Sequence, residues 1–98
     1  MIIVVGSVDG RSESFERLMK VSLEHVHRSR GEEGCIEHVV QVDCEAPLRL
    51  RFFERWRDAV ALEAHFARPE SRAFVQDVAK LCAKPPVMTI YEAEEKAF

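Results

Sequence analysis

Glu54 and His65 bracket one joint in this chain, an acid and a base separated by a strand that runs straight into a helix. An imidazole beside a carboxyl can take a phenolic or α-carbonyl proton. The same pair can equally be structural, seating a helix on a strand, because a buried carboxyl needs a partner whether or not it is catalytic. His38 brings a second imidazole to the same place if its strand face is the one that carries Phe52, Glu54 and Trp56. On the opposite face it is a surface or dimer-contact residue, and the pairing register that decides is not fixed by the sequence. Trp56 reads as core with its indole N–H partnered, or as a flat wall for an aromatic ligand.

Other clusters point to less. His25 and His27 stand at i and i+2 of a helix, so they diverge and do not chelate one metal; both read as solvated. No other three ligands converge at a plausible spacing, so no metal is expected. Arg49, Arg51, Arg55 and Arg57 share a strand face with Phe53. They form either an anion site or a row of cross-strand ion pairs with residues such as Glu37, Asp43, Glu92 or Glu94. With a net charge of -3 and no aromatic residues placed to stack bases, nucleic acid is not an expected partner. Nucleotide and flavin signatures are absent, as are P-loop, G-x-S-x-G and H-E-x-x-H motifs. Cys35, Cys44 and Cys82 are odd in number and lack a C-x-x-C pair, which fits a reducing compartment, argues against a disulfide framework or a zinc site, and leaves them as small buried or half-buried apolar side chains.

The elements that must position these groups follow from periodicity. Ile2 to Val5 is a β-branched strand. Asp9-Gly10 turns the chain, and Ser12 or Ser14 can cap a helix to about Arg30, with Phe15, Leu18, Met19, Ser22 and Val26 at helical spacing. Gly31 and Gly34 end it. Cys35 to Asp43 is a second strand with Ile36, His38, Val40 and Val42 on one face. From Leu48 to Trp56 a third strand alternates, Leu48, Leu50, Phe52, Glu54 and Trp56 opposite the arginines. Asp58 caps a short helix to about Phe66, Arg68-Pro69 interrupts it, and a further helix runs to about Ala83 with Phe74, Val78, Leu81 and Cys82 inward. Pro85 and Pro86 stop that helix before a last strand, Val87 to Ala93. The order β-α-β-β-α-α-β describes one domain over residues 1–98, an α+β ferredoxin-like antiparallel sheet with its helices on one face. Both sheet faces are partly apolar, so a twofold homodimer burying sheet against sheet is expected. The longest apolar run, Met1 to Val5, is too short to span a bilayer and has no basic leader; a cytoplasmic location without membrane contact is the expectation.

Glu54, Trp56, Asp58, Leu62 and His65 resemble the E-x-W-x-D-x-x-x-L-x-x-H signature of the antibiotic biosynthesis monooxygenase (ABM) family, which includes quinol monooxygenases. Glu32-Glu33-Gly34-Cys35-Ile36 is similar to that family's E-P-G-C-L, and the likeness continues to Phe74 and the final strand. It implies a dimeric α/β barrel and a cofactor-independent oxygenase. Its substrate would be a small hydroquinone or polycyclic phenol, held beside Trp56, Phe52, Phe74 and Tyr91. His65 or His38 would be the base, with Glu54 orienting or accepting. His38 departs from the aromatic residue usual at its position. Haem degradation is disfavoured, since the family's haem-degrading members carry an asparagine on the first strand, a tryptophan in place of His65 and a histidine on the last helix. Two other functions remain open: an isomerase acting on a small phosphorylated hydroxy-ketone, with arginines holding the phosphate, and a non-catalytic dimer that binds small molecules.

Overall fold

Alternation along the strands sorts the side chains into two faces of one sheet. The computed structural model describes residues 1–98. In chain order the elements are β1 (Ile2–Asp9), α1 (Phe15–Ser29), β2 (Cys35–Asp43), β3 (Ala46–Trp56), α2 (Ala59–Ala67), α3 (Pro69–Leu81) and β4 (Val87–Glu92). All neighbouring strands are antiparallel and the sheet order is β2-β3-β1-β4, the α+β ferredoxin-like arrangement expected from the element order.

Ile2, Val4 and Val8 of β1 pair with Trp56, Glu54 and Leu50 of β3, and this face carries the core. One cluster joins Val8, Leu50 and Phe52 to Leu18 and Val26 of α1 and Val78 of α3. A second joins Ile2, Val4 and Trp56 to Ala61 and Leu62 of α2. The site described below lies where β3 passes from the first cluster to the second. No helix of the chain is long and apolar enough to cross a membrane.

The opposite face settles the arginine row. Arg49 Nε donates to Asp9 at 2.8 Å, Arg51 Nε to Asp43 at 2.9 Å and Arg55 Nε to Glu37 at 2.7 Å, all across strands. Arg57 lies past the strand end against Asp58 and Glu33. Tyr91 is on this face too, which corrects its expected place beside the substrate. It pairs with Ile3, one residue out of phase with the helix-facing Ile2 and Val4, and is 53% exposed.

Local turn chemistry holds the helices over the sheet. Asp58 accepts from the Ala61 amide at 2.9 Å, the N-cap read from the sequence. Ser14 occupies the N-cap position of α1 but makes no capping bond; its hydroxyl donates instead to the Leu81 carbonyl at 2.8 Å, tying α1 to the end of α3. Gly34 enters β2 with φ of 82°, and a Cβ there would collide with the Ala61 side chain. Its carbonyl accepts from the Arg57 amide at 2.8 Å, so the backbone is held in place as well. Gly34→Ala is therefore expected to cost more than about 2 kcal/mol, combining left-handed strain with overpacking. A urea midpoint within error of the parent would contradict this account.

Candidate active site

Four elements deliver the polar core. Period-two alternation on β3 turns Glu54 inward between Phe52 and Trp56. The β2–β3 register sets His38 directly opposite Glu54, so His38 faces the helices, and it is 1% exposed. On α1 the buried stripe is Leu18, Val21, Ser22, His25, Val26 and Ser29. His25 therefore points into the core, which corrects its reading as solvated; His27 alone is exposed. Spacing 18-22-25-29 at helical period carried this signal, whereas comparing His25 with His27 did not. From α2, His65 comes in beneath α1.

These groups assemble into separate hydrogen-bonded sets rather than a Glu54–His65 pair. His65 Nδ1 donates to Glu32 Oε1 at 2.8 Å, and Arg68 approaches the same oxygen at 3.4 Å. Glu54 Oε1 accepts from the Trp56 indole at 2.8 Å, while Oε2 lies 3.6 Å from His38 Nε2. His38 Nδ1 bonds to Ser29 Oγ, whose own proton goes to the Val26 carbonyl at 3.0 Å. That chain fixes the tautomer: His38 carries its proton on Nδ1, and Nε2 is a bare lone pair with no hydrogen-bond partner. By the same reasoning His65 is bare at Nε2. His25 is the converse, since Arg28 donates to its Nδ1 at 2.8 Å and leaves the proton on Nε2.

Burial sets the charge states. It pushes His25 and His38 down to about 3, helped in each case by the neighbouring His65, and it lowers His65 against the opposing pull of Glu32. It lifts Glu54 to about 7, with the Trp56 bond opposing and the charge of Glu32 adding. All three imidazoles are thus neutral at neutral pH; His65–Glu32 is a hydrogen bond, His38 and Glu54 approach at 3.6 Å without one, and neither contact is an ion pair between two full charges.

The three rings crowd one another. Their centroids are 5.4 Å (His25–His38), 5.0 Å (His25–His65) and 5.8 Å (His38–His65) apart. One ring nitrogen of each lies within 4.8 Å of the others, contrary to the expectation that no three ligands converge. The sequence reading missed this because the three come from α1, β2 and α2, and no local spacing records their meeting. Trp56 packs on His65 at 4.7 Å, Phe52 lies 6.3 Å from His38, and Phe74 stacks on His25 at 4.0 Å with the rings 6° from parallel. Of the expected residues, then, Glu54, His38, His65, Trp56, Phe52 and Phe74 come together and Tyr91 does not. His25, Glu32, Ser29 and Arg28 join them unannounced; Glu32 stood within a recognised motif without an assigned role.

The cluster is roofed. A groove of about 220 Å³ between α1 and α3 is lined by Val21, Glu24, Arg28, Glu70, Ala73, Phe74 and Asp77. Two of its lining residues, Phe74 and Arg28, are the side chains that cover His25. A larger groove of about 560 Å³ lies at the sheet end beside Arg57, Asp58 and Glu92, and none of the histidines lines it.

Comparisons with known proteins agree with this architecture. The sequence model described as antibiotic biosynthesis monooxygenase (ABM) matches residues 1–77. An uncharacterised Synechocystis protein, sll1783, is 33% identical over 94 residues, which is 96% of this chain and 64% of that protein. The chain thus spans just under two thirds of that relative. Among solved structures, a candidate antibiotic biosynthesis monooxygenase from Deinococcus radiodurans superposes with a TM-score of 0.95 at 24% identity, covering 100% of this chain and 97% of the other. Rv0793 from Mycobacterium tuberculosis gives 0.90 at 22% identity, covering 99% and 98%. At these identities the structural likeness speaks for the fold.

Proposed function

Since this chain belongs to the antibiotic biosynthesis monooxygenase family, we propose that it is a monooxygenase that oxidises a small hydroquinone or polycyclic phenol with O2, using its buried histidines for proton transfer. The observation that carries this reading is the bare, unpartnered Nε2 of His38 facing a carboxyl whose proton is held to near neutrality. Base and acid stand side by side: at pH 7 the His38 imidazole is neutral and about half of Glu54 holds its proton.

In this reading substrate enters where Phe74 and Arg28 roof the cluster, so these two side chains must swing aside. His38 Nε2 takes a phenolic proton. The resulting phenolate gives one electron to O2, and the two radicals combine at a ring carbon to form a hydroperoxide. His38 returns its proton to complete the hydroperoxide, and then takes the hydrogen of the oxygenated ring carbon as a proton while the O–O bond breaks heterolytically. One oxygen stays on the ring as a carbonyl, the other leaves as water protonated by Glu54, and His38 passes its proton to Glu54 to restore both. For a naphthohydroquinone the sum is hydroquinone plus O2 giving hydroxynaphthoquinone plus water. The electrons come from the substrate, so this route is cofactor-independent; the protein contributes desolvation, positioning and proton transfer. Metal-stripped protein is expected to consume oxygen with reduced naphthoquinone, and His38→Ala with His65→Ala to lower that rate about a hundredfold or more. Silence across a panel of quinols and anthrones would refute the reading. The isomerase alternative loses support, because Arg49, Arg51 and Arg55 are already engaged by carboxylates.

The same reading includes assembly as a homodimer through the sheet. Apolar side chains on the helix-free face (Val5, Val39, Phe53 and Tyr91) are framed by the arginine–carboxylate pairs, and edge strand β4 is exposed along its whole length. A second copy rotated by twofold symmetry would cover this face. Sedimentation equilibrium is expected to give twice the chain mass, and Tyr91→Arg to shift it toward the monomer; a parent monomer at micromolar concentration would contradict the assembly.

A further inference from the structure

We infer that His25, His38 and His65 form a binding site for a divalent first-row transition ion, entered through the groove between α1 and α3. The inference rests on the meeting of three imidazoles from three elements and not on the oxidation chemistry proposed above; a bound ion occupies the His38 Nε2 lone pair that serves there as base, so the two describe different states of one site. Three buried histidines with a nitrogen each inside 4.8 Å need to draw in by about 1.5 Å to surround an ion at the 2.0–2.1 Å typical of zinc–imidazole bonds. Rotation about the side-chain bonds is the motion this needs, and the rings meet edge to face or tilted rather than stacked on one another.

Several further features suit a cation. His38 Nε2 is a buried lone pair with nothing to accept, an orphan of the kind that a ligand satisfies. The far nitrogens of His38 and His65 are already engaged, by Ser29 and Glu32, in the manner of the outer partners that orient metal-bound imidazoles. Glu54 Oε2, 3.6 Å from His38 Nε2, is placed as a fourth oxygen ligand. Three carboxylates, Glu24, Glu70 and Asp77, line the groove that also holds Phe74 and Arg28, the two side chains touching His25, so the entrance draws cations. Neutral imidazole with one carboxylate is a donor set for zinc, iron, nickel or cobalt rather than for calcium or magnesium.

Arg28 opposes the ion. Its guanidinium holds His25 with the proton on Nε2 and adds a positive charge, as Arg30 and Arg68 do further out. Loading therefore requires Arg28 to release His25, after which the imidazole proton moves to Nδ1 and the Nε2 lone pair is freed. This makes Arg28 a gate whose removal tightens binding.

The test uses Co2+ as probe, on chelator-stripped full-length protein, with no substrate present. Titration is expected to give one equivalent per chain and a visible ligand-field band of a four- or five-coordinate ion. His25→Phe, which keeps the stack on Phe74, is expected to weaken binding at least a hundredfold, and Arg28→Ala, on the half-buried rim, to tighten it several-fold. His27→Ala and Cys44→Ser, both exposed positions, are expected to leave the band unchanged. No band up to millimolar Co2+, a band retained in His25→Phe, or Arg28→Ala binding no better than the parent would each overturn the inference. Because the readout is spectroscopic, loss of oxygen uptake cannot be mistaken for loss of the ion, and either idea can fail alone.

Discussion

Metal-stripped protein taken from pH 7 to pH 3.5 is expected to lose roughly 5 kcal/mol of stability, about half of it below pH 4.5. His25 and His38 are held near 3 in the folded chain against an ordinary value of 6.5. Below 6.5 the unfolded chain takes up protons that the folded chain refuses, so each imidazole removes about 1.4 kcal/mol of stability per pH unit until the pH nears 3. Their contribution is fully present above 6.5 and is lost as the pH falls. Glu54 works the other way: its folded value near 7 means the native state holds a proton that the unfolded chain gives up near 4.5. Between 4.5 and 7 its gain on acidification, roughly 3 kcal/mol, offsets about half of the histidine loss, so the limb is shallow in that window and steepens below it. A loss of roughly 5 kcal/mol is comparable to the whole stability of a domain this size. Urea unfolding at half-unit pH intervals measures the limb, and His25→Leu is expected to make it shallower by about 1.4 kcal/mol per unit. An unchanged slope in that variant would mean that His25 is not held neutral in the core.

Glu54→Gln is expected to stabilise the protein by roughly 3 kcal/mol at pH 8 and by little at pH 4, while impairing turnover. At pH 8 the parent must bury an ionised carboxylate, the state its raised titration opposes. Glutamine keeps an oxygen for the Trp56 indole and turns an amide N–H toward the bare His38 Nε2, so the indole bond survives without the charge. If Glu54 supplies the proton that leaves with water, the parent rate falls above pH 7 as that proton is lost. The variant should run slower, by tenfold or more, with that alkaline limb gone. A stability gain with unaltered kinetics would leave Glu54 as a structural residue only. A residue that destabilises the fold at working pH yet is needed for rate is the usual mark of a functional site.

Sequence alone determined the architecture. Alternation in β3, the Asp58 cap and Pro69 at the start of α3 are local rules, and each acts within a few residues of where it is written. Glu54, Trp56, Asp58 and His65 likewise announce the joint they occupy, and Arg51 and Arg55 announced their carboxylate partners. Tertiary structure decided who meets whom at the site. Register put His38 opposite Glu54 and turned Tyr91 to the other face, since one residue of slip reverses every side chain on a strand. The seating of α1 on the sheet brought His25 against two histidines 13 and 40 residues distant, and Glu32 rather than Glu54 reached His65. Pairings of that kind depend on how whole elements stack, and a helix reports its buried stripe in its spacing but not what the stripe will touch.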